Sequence, residues 1–371
     1  MGSAHACNIK SGLCPEIELT AVADISPARC AWAKTEMPDV AVFETAEAMM
    51  DSGLVDSIIV AVPHYDHPRY AIEGFRRGLH AMIEKPAGVY TKQVREMNEV
   101  AKASGVVFGL MFNQRTNCIY RKTREIVKSG ELGQIRRVNW IITNWYRPQA
   151  YYDSGSWRAT WSGEGGGVLL NQCPHQLDLW QWICGMPVTV SAKMKFGKWH
   201  NIEVEDDVTI FAEYENGATG VFITSTGDAP GRNRLEITMD GGNILVENDK
   251  LSITKLDVNE QEFSAMNTDI FGRPGSHVFE PETDGKNTQH VGVLNSFASA
   301  ILHGTALVAD GTEGINGLMI SNAAHLSAWI GKEVSLPIDE DLYYSELLKR
   351  VAVSRRKTNG VQRISDMKGS Y

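Results

Sequence analysis

Ala81-Met82-Ile83-Glu84-Lys85-Pro86-Ala87 is the stretch on which the fold turns. The apolar run Leu79 to Ile83 stops abruptly at an acid, a base and a proline. Such a run reads as a buried parallel strand, and Pro86, which has no backbone N–H, ends it. Lys85 then stands at the C-terminal end of a strand, the edge of an open α/β sheet where ligands bind. A lysine there can hydrogen-bond a substrate hydroxyl, and partial burial lowers its pKa toward working pH. A surface Glu-Lys pair before a turn is the plainer reading of the same tripeptide.

Upstream, Ile17 to Asp24 reads as another strand. Asp24 at its end is placed to accept hydrogen bonds from the ribose hydroxyls of a dinucleotide, or to cap the helix that follows Pro27. Ser57 to Val62 is a third strand, ending at Pro63-His64, and Val106 to Met111 a fourth, ending at Phe112-Asn113. Helices are expected from Pro27, over 46–52, 67–77 and 92–104. Strict alternation of strands and helices argues for a parallel, doubly wound sheet. The polar residues Asp24, His64, Lys85 and Asn113 all collect at strand ends, which is more informative than any one of them.

After about residue 118 the pattern changes. A helix over 119–129 leads to a strand over 135–145 and an aromatic, polar loop with Trp145, Tyr151, Tyr152, Trp157 and Arg158. Gly163 to Gly167 resembles a phosphate cradle, but no strand feeds it and no lysine follows, so it reads as a loop giving close backbone approach. A helix is expected over 168–184, with Asn171, His175 and Asp178 at i, i+4 and i+7 on one face. His175 suits proton transfer to or from a hydroxyl, with Asp178 or Asn171 to orient it. A satisfied core histidine is the alternative. A metal site is weaker still, because Cys173 and His175 point to different helix faces, and no metal is expected. From Pro187 onward the strands read as antiparallel sheet with hairpin turns at Glu215-Asn216-Gly217 and Asp240-Gly241-Gly242. Helices over 289–303, 314–330 and 342–353 follow, His290 standing at the start of the first.

The 371 residues are enough for two domains, expected over 1–117 and 118–371. Hydrophobic content of 43% with 34 glycines fits an α/β protein, and a net charge of −9 without basic clusters argues against nucleic acid or an anionic membrane. No apolar run has transmembrane length. Six scattered cysteines without a CxxC pair point to a reducing cytoplasm. The polar tail after Arg355 is expected to be loose. A large sheet needs cover on both faces, so a homodimer or homotetramer is expected.

These residues together resemble the Gfo/Idh/MocA oxidoreductases. The carriers are Glu84-Lys85-Pro86 after Gly78 to Ile83, Val62-Pro63-His64 with His67-Pro68, and Gly166 to Asn171 running into His175 and Asp178. The resemblance implies an N-terminal Rossmann-like domain and a C-terminal α+β domain with an open, mostly antiparallel sheet. It implies NAD, with NADP disfavoured because no arginine directly follows Asp24, and a sugar or polyol substrate. Lys85 would polarise the reacting oxygen and His175 would be the acid/base. Gly2, Asp24, Val62, Pro63, His64, His67 and Glu84 would contact the dinucleotide along with Lys85; Asn113, Trp157, Arg158, Asn171 and Asp178 would contact substrate.

Two departures matter. Asn171 stands where relatives often carry an aspartate, so it cannot hold charge against His175. The chain also opens at what looks like the end of a glycine-rich turn, Gly2 matching its last glycine. The expectation is that a central strand and two glycines are missing and that NAD binding is weak as a result. The implied activity is oxidation or reduction of a secondary hydroxyl. A redox-neutral, NAD-dependent glycosidase cycle and a sugar- or dinucleotide-sensing regulator are the alternatives. Retention of Lys85 and His175 argues against the regulator.

Overall fold

A computed structural model describes residues 1–355; the expectation for the tail beyond Arg355 lies outside the described residues. The chain forms two compact units. The first comprises residues 1–113 together with 288–315, and the second residues 114–287 with the described residues from 316 onward. The first boundary falls near the expected residue 117, whereas the return of 288–315 to the first unit has no counterpart in the sequence reading.

The first unit runs α1 (Gly2–Lys10), β1 (Ala21–Ala23), α2 (Pro27–Glu36), β2 (Ala41–Phe43), α3 (Ala46–Met50), β3 (Ser57–Val60), α4 (His67–Arg76), β4 (His80–Ile83), α5 (Thr91–Ser104) and β5 (Phe108–Leu110). All pairings are parallel, as the alternation predicts, but the sheet comes in two pieces, β1-β2 and β3-β4-β5. The expected strand over 17–24 shrinks to three residues. β4 registers Met82 against Ile59 and Gly109. Its residues Ala81, Met82 and Ile83 are fully buried, which is why they read as a continuous apolar run. Helix α4 carries Pro68 in its first turn, where a missing N–H costs nothing, and buries Ala71, Ile72 and Phe75 on one face.

The second unit runs α6 (Cys118–Ser129), β6 (Ile135–Ile142), α7 (Gln149–Tyr152), α8 (Pro174–Cys184), β7 (Thr189–Phe196), β8 (Glu205–Glu213), β9 (Thr219–Ser225), β10 (Asn233–Met239), β11 (Gly242–Glu247), β12 (Lys250–Leu256), α9 (Glu260–Met266) and β13 (Ser276–Phe279). Helix α10 (Gln289–His303) then rejoins the first unit, and α11 (Gly314–Ile330), β14 (Val334–Ser335) and α12 (Glu340–Val353) complete the described chain. One nine-stranded sheet is ordered β13-β12-β11-β10-β6-β9-β8-β7-β14. It is antiparallel except for β6 beside β9. Both expected hairpins form, β8 to β9 and β10 to β11.

Period-two burial gives this sheet a covered face. Ile210, Phe222, Trp140, Leu235 and Val246 lie across it in register, all buried. Trp180 of α8 stacks on Phe222 at 5.4 Å between ring centroids. Gly220 of β9 leaves the room, since a Cβ there would stand 2.9 Å from the Trp180 ring. The core of the first unit joins Met82 and Met111 to Val293, Leu294 and Phe297 of α10. Among the described residues no helix is long and apolar enough to cross a membrane.

Candidate active site

In the first unit, β4 carries the Glu84 N–H to the Val60 carbonyl at 2.9 Å, one residue past the strand's end. The chain then turns through a cis Lys85-Pro86 peptide. Glu84 is 4% exposed. Its Oε1 meets Nε2 of His5 at 2.6 Å, and its Oε2 accepts the Lys85 backbone N–H at 3.2 Å. Burial alone would raise the Glu84 carboxyl, but the His5 hydrogen bond and the charges of His5 and Lys85 outweigh it and hold the group well below the usual carboxylate range. The His290 ring, at the start of α10, lies 5.6 Å from that of His5. Burial, with Lys85 and His5 nearby and Glu84 opposing, brings His290 down to about 4.

His67 is a clamp. Its Nδ1 lies 2.7 Å from the Pro86 carbonyl and its Nε2 2.8 Å from that of Val62, so the ring bridges the segments after β3 and β4, its single N–H when neutral donating to one of the two. Burial pushes its ring down despite both carbonyls. His64 is buried beside it, with ring centroids 5.9 Å apart. Asn113, also buried, donates from Nδ2 to Oε1 of Gln289.

Gly2, Asp24, Val62 and Pro63 line one cavity of about 550 Å³. Residues of the start of α1, of β1 and of β3 all line it. One Asp24 oxygen accepts the Ser26 N–H at 2.8 Å and closes a turn, but the residue at the N-cap of α2 is Ser26, so the expected helix cap at Asp24 does not form. Arg29 lines the same cavity and donates to the Ser3 hydroxyl. A carboxylate at a strand end beside a helix N-terminus is a donor set that fits a dinucleotide.

In the second unit the expected helix over 168–184 starts six residues late, at Pro174. His175 and Asp178 are on α8, but Asn171 lies in the turn before it, so the three are not on one helical face. The cause is Glu205, whose carboxylate accepts the N–H groups of Gly167 at 2.8 Å and Leu169 at 3.0 Å. The glycine turn is thus a nest whose anion is a side chain of the same chain, which is the physical reason it is no phosphate cradle. Gly167 is required there because a Cβ would stand 2.0 Å from the Glu205 carbonyl oxygen. His325 approaches the same carboxylate, Nε2 to Oε2 3.0 Å.

His175 is 9% exposed. Both Asp178 oxygens receive the Arg115 guanidinium, at 2.8 and 2.7 Å, and Gln181 adds a third donor at 3.0 Å. This side-on buried pair makes Asp178 the anchor of Arg115. Arg158 lies 4.7 Å over the rings of both Trp157 and Tyr151. Asn171 donates to Glu164, whose other oxygen takes the Ala159 N–H at 2.5 Å. Sequence reasoning did not single out His5, Arg115, Glu164 or Glu205. Glu164 alone left a mark, as an acid set among glycines.

Comparison with known proteins adds two family models. Residues 1–112 match "Oxidoreductase family, NAD-binding Rossmann fold" and residues 120–245 match "GFO/IDH/MocA C-terminal domain". D-glucoside 3-dehydrogenase of Escherichia coli (strain K12) is 28% identical, the match covering 54% of this chain and 61% of that protein. Myo-inositol 2-dehydrogenase of Thermotoga maritima is 22% identical over 91% of this chain and 96% of that protein. The chain spans about half the length of several other curated relatives it matches. The WlbA dehydrogenase of Chromobactrium violaceum, solved with NADH and UDP-GlcNAcA, superposes with a TM-score of 0.77 at 25% identity, covering 90% of this chain and 94% of that one.

Proposed function

The chain belongs to the Gfo/Idh/MocA family of oxidoreductases, and on that premise we propose that it moves a hydride between NAD and a secondary hydroxyl carbon of a sugar, polyol or glycoside. The observation that carries this reading is Lys85 at the end of β4, its backbone N–H held by a buried, ionised Glu84 that is itself fixed by His5. A lysine whose backbone is so held at the edge of a parallel sheet extends its side chain from a fixed starting point.

NAD, when bound, takes up or gives the hydride at its nicotinamide ring. The rest is this chain's work. Lys85 donates a hydrogen bond to the reacting oxygen and stabilises negative charge on it. His175 accepts the hydroxyl proton in oxidation and returns it in reduction. Asp24 accepts the ribose hydroxyls, and its charge repels the extra phosphate of NADP. The N-terminus of α1 at Gly2 favours the pyrophosphate, and Val62 and Pro63 cover the ring system. His64, His67 and Glu84 hold that edge in place. Asn113, Trp157, Arg158 and Asn171 face the sugar, and Asp178 serves them through Arg115.

The test is NADH absorbance on a panel of sugars, inositols and glycosides. Net NADH formation that disappears in Lys85→Ala supports the assignment. Release of a glycosidic substituent without net NADH would point to the redox-neutral cycle. Turnover of every accepted sugar that survives Lys85→Ala sinks the mechanism.

A further inference from the structure

Four polar side chains of the second unit form a chain whose hydrogens all point one way. Arg158 Nη1 donates to Tyr151 Oη at 3.0 Å. Tyr151 Oη donates to Asn171 Oδ1 at 3.3 Å, and Asn171 Nδ2 donates to Glu164 Oε1. Gln172 Nε2 brings a second donor to Tyr151 Oη at 3.3 Å. The ends fix the direction. A guanidinium can only donate, and both Glu164 oxygens act as acceptors, one for the Ala159 N–H and the other for the Asn171 amide. Two donors already aim at the phenol oxygen, so its own hydrogen must go to Asn171, and the amide must turn its nitrogen to Glu164. The sequence therefore dictates the orientation of an amide and a phenol that would otherwise be free to reverse.

We infer that Glu164 is a positioning residue that sets the hydrogen-bond polarity of Asn171 and Tyr151, and through them the donor and acceptor pattern offered to a sugar hydroxyl. The inference rests on the reading that Asn171 and Arg158 face the sugar, and it deepens that reading. Glu164 is 2% exposed. Burial raises its carboxyl, with Glu205 of β8 adding to the rise, while the charge of Arg158 and the donors Ala159 and Asn171 hold it down. Around Tyr151, burial and Glu164 raise the phenol and Arg158, Arg147 and Gln172 oppose. His325 of α11 approaches Glu205, Nε2 to Oε2 3.0 Å.

In Glu164→Gln the new amide nitrogen must face either the Ala159 N–H, donor against donor, or Asn171. The second choice turns Asn171 round, points its nitrogen at Tyr151 and reverses the chain. Two readouts test this. One is steady-state kinetics on an accepted sugar with NAD. The other is the pH titration of tyrosine carbon-13 labelled at the ring carbon bearing the hydroxyl, with the Tyr151 signal assigned by Tyr151→Phe.

In Glu164→Gln the KM for sugar should rise about tenfold with the KM for NAD unchanged, and Tyr151 should ionise at lower pH than in the parent. Glu164→Asp should restore part of both. A Tyr151 titration identical to the parent's overturns the inference even if the chain proves to oxidise no sugar. So does a KM rise shared equally by sugar and NAD, which would mark a structural defect. If Glu164→Gln does not fold, Tyr151→Phe cuts the chain at its middle and must raise the sugar KM with NAD unaffected; an unchanged sugar KM there also overturns it.

Discussion

Glu84 shows how much one buried carboxylate can organise. It is ionised because His5 and Lys85 surround it, and its charge raises His290 while burial lowers that ring more strongly. His290 is neutral in the folded state down to about 4, against an ordinary value of 6.5. The unfolded chain binds its proton from pH 6.5 downward and the folded chain does not. Stability from this group is therefore complete above pH 6.5 and drains away as pH falls toward 4, by on the order of 3 kcal/mol. Urea unfolding between pH 4 and 7 should show that slope, and His290→Asn should flatten it. His175→Asn should cut turnover by about 10²- to 10⁴-fold, the range for removing a general acid/base, with sugar binding in the presence of NAD retained by calorimetry. The place of Lys85 just past the end of β4 was readable in sequence because the motif around it is local. His5 was not, because nothing in a histidine 79 positions before Glu84 announces the contact.

Elements were legible wherever burial was one-sided or complete. The parallel strands announced themselves by apolar runs stopped by polar residues, and α10 appears at its expected bounds. The start of α8 was not legible, because Glu205 captures the Gly167 and Leu169 N–H groups from 38 and 36 residues away. A long-range side chain overrode a local helical pattern, and no period in the sequence contains it. The parallel β6-β9 contact inside an otherwise antiparallel sheet was hidden for a similar reason: hairpin signals report neighbours in the chain and these strands are not. Gly167→Ala should lower the thermal midpoint, since its Cβ would fall 2.0 Å from backbone and overpacking against backbone costs roughly 1–3 kcal/mol. Calorimetric melting checks it, and a parent-like midpoint would contradict the close approach.

At the scale of the whole molecule, the outward face of the nine-stranded sheet remains to be covered. Phe211, Val221 and Leu245 lie along one row and Ile223 and Ile141 along the next, with Ile141 36% and Phe211 41% exposed. We propose a second copy of the chain as the cover. Sedimentation velocity should show a homodimer or homotetramer, and Ile141→Glu with Phe211→Glu should shift it to a smaller species without loss of helical and strand content by circular dichroism. The first unit's discontinuity has a further consequence. Its core takes Val293, Leu294 and Phe297 from a helix encoded after thirteen of the fourteen strands among the described residues. A ribosome making this protein in order must release residues 114–287, most of the later, larger unit, before the earlier one can close. The earlier unit is therefore the one that waits, holding an incomplete apolar layer, and a chaperone that shields nascent chains would find a long-lived target there.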